Sequence, residues 1–260
     1  MFRIAAVSAS ALALSVAAAA AATGVVLTDD RTLVMFDTET LEVTGSMEVE
    51  GVDRLLGIDL RPADNTLVGV ADDMRIVTID PATGAATDLS MMDTALEVGD
   101  MPVIVDFNPM ADRLRLMTGS TNHRVNVDTG EVTVDGSLNW TPEDENSEAV
   151  PMIAAAAYIN SYGTPEATAM YNIDAGLGAL LQQTAPNDGT LATIGMLTIE
   201  DAGEAMAFDV QTDAEGMNMA WLITNNTLHS VDLDTGAATA AGEITGIDGE
   251  IRDLTVMPAM

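Results

Sequence analysis

The sequence contains no cysteine, so no disulfide framework holds the fold and no zinc site can draw on thiolate ligands. Lysine is absent too: the nine basic residues are all arginine. Against them stand 41 Asp and Glu, for a formal net charge of −32 at pH 7. Such a chain has no positive surface with which to displace counterions from a phosphate backbone. Nucleic acid is therefore excluded as a partner. Anionic membrane surfaces are disfavoured on the same ground. There are only two histidines, His123 and His229, and no His-Glu-x-x-His pair. Each stands alone before a turn and reads as a surface residue. Aromatic residues are few, with two Trp, three Tyr and four Phe, which leaves little for the stacking platforms of a sugar site. No phosphate-cradling glycine motif and no G-x-S-x-G nucleophile elbow occurs.

What is present is apolar and repetitive. Hydrophobic residues make up 48% of the chain, with the acids dispersed among them, which argues for a folded body with a solvated acidic face. The opening MFRIAAVSASALALSVAAAAAATG reads as a secretory signal peptide: Arg3, an apolar stretch, then small residues. A retained membrane anchor fits less well, since the alanine-rich tail is weakly apolar and short for a ~30 Å hydrocarbon core. The expected organisation is a leader over residues 1–22 and one domain over 23–260. The expected location is the periplasm or outside the cell.

Asp-Thr-Gly, the tripeptide of pepsin-like proteases, occurs at Asp128 and Asp234. Its surroundings recur more often than two half-sites would. VNVDTGEVTV and VDLDTGAATA match over ten positions. VTIDPATGAATDL looks like a copy with a two-residue insertion after Asp80, LVMFDTETLEVTG has Asp37, and AMYNIDAGLGALLQ has Asp174. Each alternates apolar and polar residues, turns at Asp and a small residue, and alternates again, which is a hairpin signature. A spacing of about 40–50 residues between such turns is that of propeller blades, each a small antiparallel sheet.

The expectation is an all-β, closed β-propeller of five blades, or six if residues 151–199 hold two short ones. The closing EIRDLTVMPAM resembles a first strand that the opening GVVLTDDRTLVMFD lacks. The C-terminal strand should therefore complete the N-terminal blade and remove a free sheet edge.

Chemistry concentrates in the expected first strands. Asp59 in LLGIDLRP, Asp106 in VIVDFNP and Asp209 in AMAFDVQ hold equivalent positions, and Asp253 in IRDLTVMP lies two residues off. A shift of two keeps the same strand face. In a propeller these strands line the central channel. Several Asp there would bind a cation such as Ca²⁺, or would accept backbone hydrogen bonds and lock blade packing. Arg61, Arg113 and Arg252 are the available partners. No metal-binding loop motif accompanies them, so Ca²⁺ rests on position alone and no cofactor is certain. The long acidic loop GSLNWTPEDENSEAVPM carries Trp140, which reads as a contact anchor or as a residue folded back onto the body. The function expected is non-catalytic binding or scaffolding by a monomer, for a protein or small-molecule partner not specified by sequence. The alternative is a hydrolase using loop carboxylates on an extracellular substrate.

The stretches LLGIDLRPADNTLVGVADDMRIVTIDPATGAAT, VDFNPMADRLRLMTGSTNHRVNVDTG, AAAAYIN and APNDGTLATIG together resemble an uncharacterised family of secreted bacterial proteins, domain of unknown function 4394. The resemblance runs over about residues 24–258 and implies an exported propeller-like repeat. It carries no catalytic residue to transfer.

Overall fold

Segments such as TLVGVA and TLVMFD are apolar at successive positions and rich in β-branched residues, so they form strands that bury both faces. The computed structural model describes residues 22–203 and 205–257. All its named elements are strands, grouped in five sheets that are antiparallel apart from one short parallel edge pair. The first blade holds β1 (Thr23–Thr28), β2 (Thr32–Asp37) and β3 (Val43–Glu48). The second holds β4 (Leu55–Arg61), β5 (Thr66–Ala71), β6 (Arg75–Ile79) and β7 (Ala86–Met91). The third holds β8 (Val103–Asn108), β9 (Arg113–Thr118), β10 (Thr121–Val125) and β11 (Val132–Val134). Next comes β12 (Asn139–Trp140), which adds in parallel to the outer edge of the fourth blade, built from β13 (Ile153–Tyr158), β14 (Met170–Asp174), β15 (Ala179–Ala185) and β16 (Thr190–Met196). The fifth holds β17 (Met206–Thr212), β18 (Asn218–Thr224), β19 (Thr227–Val231) and β20 (Ala238–Glu243), and β21 (Ile251–Met257) ends the described chain.

The ring closes as the sequence predicts. β21 pairs antiparallel with β1, from Thr23 opposite Met257 to Leu27 opposite Asp253, and becomes the innermost strand of the first blade. The blade count is five. Five apolar clusters match five blade-to-blade interfaces. Val26 and Phe36 of the first blade pack with Trp221 and Ile223 of the fifth. Phe107 and Leu114 pack with Val68 and Val70. The outermost strand β3 alternates half-buried and exposed because only one face is covered.

The turns share a geometry that the tripeptide obscures. The residue accepting the turn's backbone bond stands four before a left-handed residue: Asp80 before Gly84, Asn126 before Gly130 and Asp232 before Gly236, each N to O distance 2.8 Å. Asp37 and Leu41 repeat the pattern at 2.9 Å. The capping side chains are therefore Asn126 and Asp232, not Asp128 and Asp234, and the copy at Asp80 has no insertion. Asp174 differs again. Its turn joins the second and third strands of its blade, and the third-to-fourth turn is Ala185–Thr190. A longer first connection, residues 159–169, displaces that pattern.

The leader over residues 1–22 falls outside the described residues except for Ala22. Ala22 is buried, and its carbonyl accepts both Thr38 N and Thr38 Oγ1 at 3.1 Å. Among the described residues no helix is long and apolar enough to cross a membrane.

Candidate functional site: the channel carboxylates

The inner strands β4, β8, β13, β17 and β21 follow one another around the axis, each packing against the next. A short carboxylate on one inner strand reaches the backbone of its neighbour. Asp59 Oδ2 accepts Phe107 N at 2.7 Å, and Asp106 Oδ1 accepts Tyr158 N at 2.8 Å. Asp209 Oδ2 accepts Val256 N at 2.5 Å, and Asp253 Oδ2 accepts Ile58 N at 2.8 Å. Four of the five blade junctions thus carry an aspartate latch. The fifth blade has none from its predecessor: Ala157, just before Tyr158, stands where an aspartate would be.

The register of the closing strand follows the two-residue offset read from sequence. Thr255 occupies the level of the other aspartates. Its Oγ1 accepts Leu60 N at 3.2 Å and donates to Asp59 Oδ1 at 2.9 Å. Asp253 sits one step along the channel, facing Gly57. A Cβ on Gly57 would lie 2.6 Å from both Asp253 Oδ2 and Val105 Cγ2, so glycine is what admits this carboxylate.

Asp59, Asp106 and Asp209 converge. Each offers a carboxylate oxygen within 4.8 Å of the others, and all three are buried. This cluster is a candidate metal site. A separation of up to twice a Ca–O bond of about 2.4 Å is the necessary condition for one ion to touch all three. Beside Asp59 and Asp209, though not Asp106, lies a cavity of about 20 Å³, lined also by Thr255, Tyr162 and Gln211. A space of about 10–15 Å³ suffices for one water molecule, so the cavity suits a water or a dehydrated cation. Asp253 is not part of the trio.

Burial governs the electrostatics. Desolvation, then the charge of Asp209, raises Asp59 well above the usual carboxylate range. Desolvation, then Asp59 and Asp209, does the same to Asp106. Burial raises Asp209 to about 6 against its backbone hydrogen bonds, and raises Asp253 to about 8. These carboxyls cannot all be ionised together without positive charge between them. Protons or a cation must serve.

No arginine among the described residues hydrogen-bonds to these groups. Arg61 instead bridges Asp112 and Asp128, tying the second blade to the third. Arg113 bonds the carbonyls of Ala111 and Asp112, and Arg252 those of Asp29 and Leu55. The expected Asp–Arg pairing in the channel is thereby corrected: the guanidiniums serve loops, and backbone amides serve the carboxylates.

Trp140 is 8% exposed and packs with Ile104, Met117 and Leu138. Its Nε1 donates to Ala149 O at 2.7 Å. It is a pillar under its loop rather than an exposed anchor. The two histidines, expected at the surface, are buried. Sequence reasoning also missed Arg115, 1% exposed, which bonds Asp135 at 2.6 Å, Asn122 at 2.8 Å and Tyr158 Oη at 3.2 Å. The alternation in RLRLMT placed Arg115 between apolar neighbours, which was the available signal. It clamps the third blade to the fourth.

Fold and site together define a closed five-bladed propeller with a carboxylate-lined channel. Over residues 32–255 the chain matches the family described as Domain of unknown function (DUF4394), and it belongs to that family. Comparison with curated proteins finds no match. A structural genomics protein of unknown function from Bacteroides thetaiotaomicron is similar at 14% identity and a TM-score of 0.50, covering 95% of this chain and 63% of that one. This chain therefore spans less than two thirds of that protein's length, and the likeness speaks to fold alone. A protein of unknown function from Bacteroides caccae is 8% identical with a TM-score of 0.44, covering 91% of this chain and 99% of that one.

Proposed function

We propose that this protein is an exported, non-catalytic binding propeller whose channel holds a cation, with Ca²⁺ the first candidate, on Asp59, Asp106 and Asp209. The observation that carries the reading is the convergence of three buried carboxylates, each already oriented by a backbone amide or hydroxyl, two of which, Asp59 and Asp209, line a cavity of single-ion size. Calcium takes six to eight oxygens, so Thr255 Oγ1 and water would complete the shell. The net charge of −32 raises the local cation concentration around the molecule. Export rests on the leader-like first residues of the sequence.

A hydrolase of loop carboxylates finds less support. Among the described residues, the Asp side chains raised from the ordinary range are the four in the channel. The acidic loop's Asp144 is held low by bonds from Thr193 and Asn146 that outweigh its burial, which suits a structural anchor rather than a general acid.

The test is calorimetric titration of chelator-treated protein with CaCl₂ at pH 7.5. One site per chain is expected, weakened at least tenfold in Asp106→Asn. Absence of binding in the wild type, or full binding in the variant, removes the proposal.

A further inference from the structure

The loop from Gly136 to Met152 is fixed from within yet presents apolar side chains outward. Asp144 Oδ2 accepts Thr193 N at 2.6 Å, and Asp144 Oδ1 accepts Thr193 Oγ1 at 3.0 Å. Asn146 Nδ2 donates to Thr193 Oγ1 at 3.0 Å, and Met152 N to Asp174 Oδ2 at 2.9 Å. Trp140 props the loop from below through Ala149 O. Despite this ordering, Val150 is 83% and Met152 47% exposed. They border a cleft of about 620 Å³, lined also by Met101, Leu138, Trp140 and Pro142. That volume falls within the usual range for ligand clefts, about 300–1,000 Å³. A rigid loop with an uncovered apolar wall has already lost the entropy that binding would otherwise cost.

The charge of the loop restricts what fits. Glu143, Glu145 and Glu148 lie on the same loop and are exposed, with no basic residue between Gly136 and Met152. A second copy of this chain would bring another acidic loop and another charge of −32 to the contact. An anionic amphiphile would meet the same repulsion. We infer that the cleft is a docking site for an extended, arginine- or lysine-bearing segment of a partner protein, its aliphatic side chain against Val150 and Met152 and its cations drawn by the exposed glutamates of the same loop. Apolar contact would supply affinity, and the acidic loop selectivity and rate. The cleft shares Met101 with a neighbouring cavity toward Leu56, Met206 and Ile251, whose lining includes Arg54 and Arg252. The inference stands apart from the channel cation.

The test uses fluorescence polarisation with three BODIPY-labelled pentapeptides, Arg-Leu-Arg-Leu-Arg, Arg-Ser-Arg-Ser-Arg and Glu-Leu-Glu-Leu-Glu, in 0.15 M NaCl. The first should bind at least tenfold more tightly than either other. The double variant Val150→Ser, Met152→Ser should lose at least tenfold for that peptide alone, and its melting temperature should stay within a few degrees of the wild type. Equal binding of the Arg-Leu and Arg-Ser peptides would show diffuse attraction to an acidic surface and overturn the proposal. So would equal binding of the Glu-Leu peptide, failure of the Arg-Leu peptide to bind, or unchanged affinity in the double variant.

Discussion

Raising the pH should loosen this protein, and calcium should reverse the part of the loss that comes from Asp59, Asp106 and Asp209. The channel carboxyls have folded-state pKa values above those of the unfolded chain, which lie near 3.9. For Asp253 the folded value is about 8, and for Asp209 about 6, both because burial penalises the charge. The folded protein therefore binds more protons than the unfolded chain across roughly pH 4 to 8. Stability from these groups is fully present below pH 4 and is lost as pH rises through the folded values. Each retained proton sets a slope of about 1.4 kcal/mol per pH unit. From pH 5 to 7 Asp253 alone contributes a fall of about 3 kcal/mol. At about 2–4 °C per kcal/mol for a domain of this size, the melting temperature drops by about 6–12 °C. A cation held by Asp59, Asp106 and Asp209 replaces the protons of that trio and not the one on Asp253, so its effect should grow with pH, reaching about 2.7 kcal/mol at a hundred times its dissociation constant. The assay is thermal melting from pH 5 to 8 in EDTA and in CaCl₂. About 1 M NaCl throughout screens repulsion among surface acids to within about 3 Å. Asp253→Asn, which mimics the protonated side chain, should flatten the slope. A pH-independent melt in EDTA, or a calcium effect equal at pH 5 and 8, would refute the reasoning.

Other perturbations test the ring itself. Gly57→Ala should cost about 1–3 kcal/mol, read by chemical denaturation, because its methyl must displace Asp253 and Val105. Arg115→Met should cost about 3–5 kcal/mol, since Asp135 is left buried beside Arg124 alone while Asn122 and Tyr158 lose a partner. Ending the chain after Glu250 removes β21, and with it Asp253 and the latch between Asp209 and Val256. That truncation should abolish the cooperative melt followed by circular dichroism.

Much of this architecture is legible in the chain because strand pairing repeats a pattern. The Asp-led turns announce the blades, and IRDLTV reveals its kinship with LLGIDL through one aspartate on the same face. What the sequence hides is register set by long-range packing. The recurring Asp-Thr-Gly draws the eye to Asp128, whereas the backbone turn is anchored two residues earlier at Asn126. Thr255, at the aspartate level, carries no signature of its own, and only the pairing of β21 with β1 places it there. Convergence of Asp59, Asp106 and Asp209 follows from equivalent strand positions. The exclusion of Asp253 follows from a two-residue offset whose spatial meaning depends on ring closure. Trp140 reads as an anchor because its loop is acidic, but its indole finds a carbonyl nine residues away and stays inside.

The most direct measurement of the central claim is anomalous diffraction from crystals grown with CaCl₂ at pH 7.5. The account predicts an anomalous peak on the channel axis, about 2.3–2.6 Å from one oxygen each of Asp59, Asp106 and Asp209. A channel holding only non-anomalous density at hydrogen-bonding distance, about 2.7–3.0 Å from those oxygens, would contradict it and leave the aspartates as latches between blades.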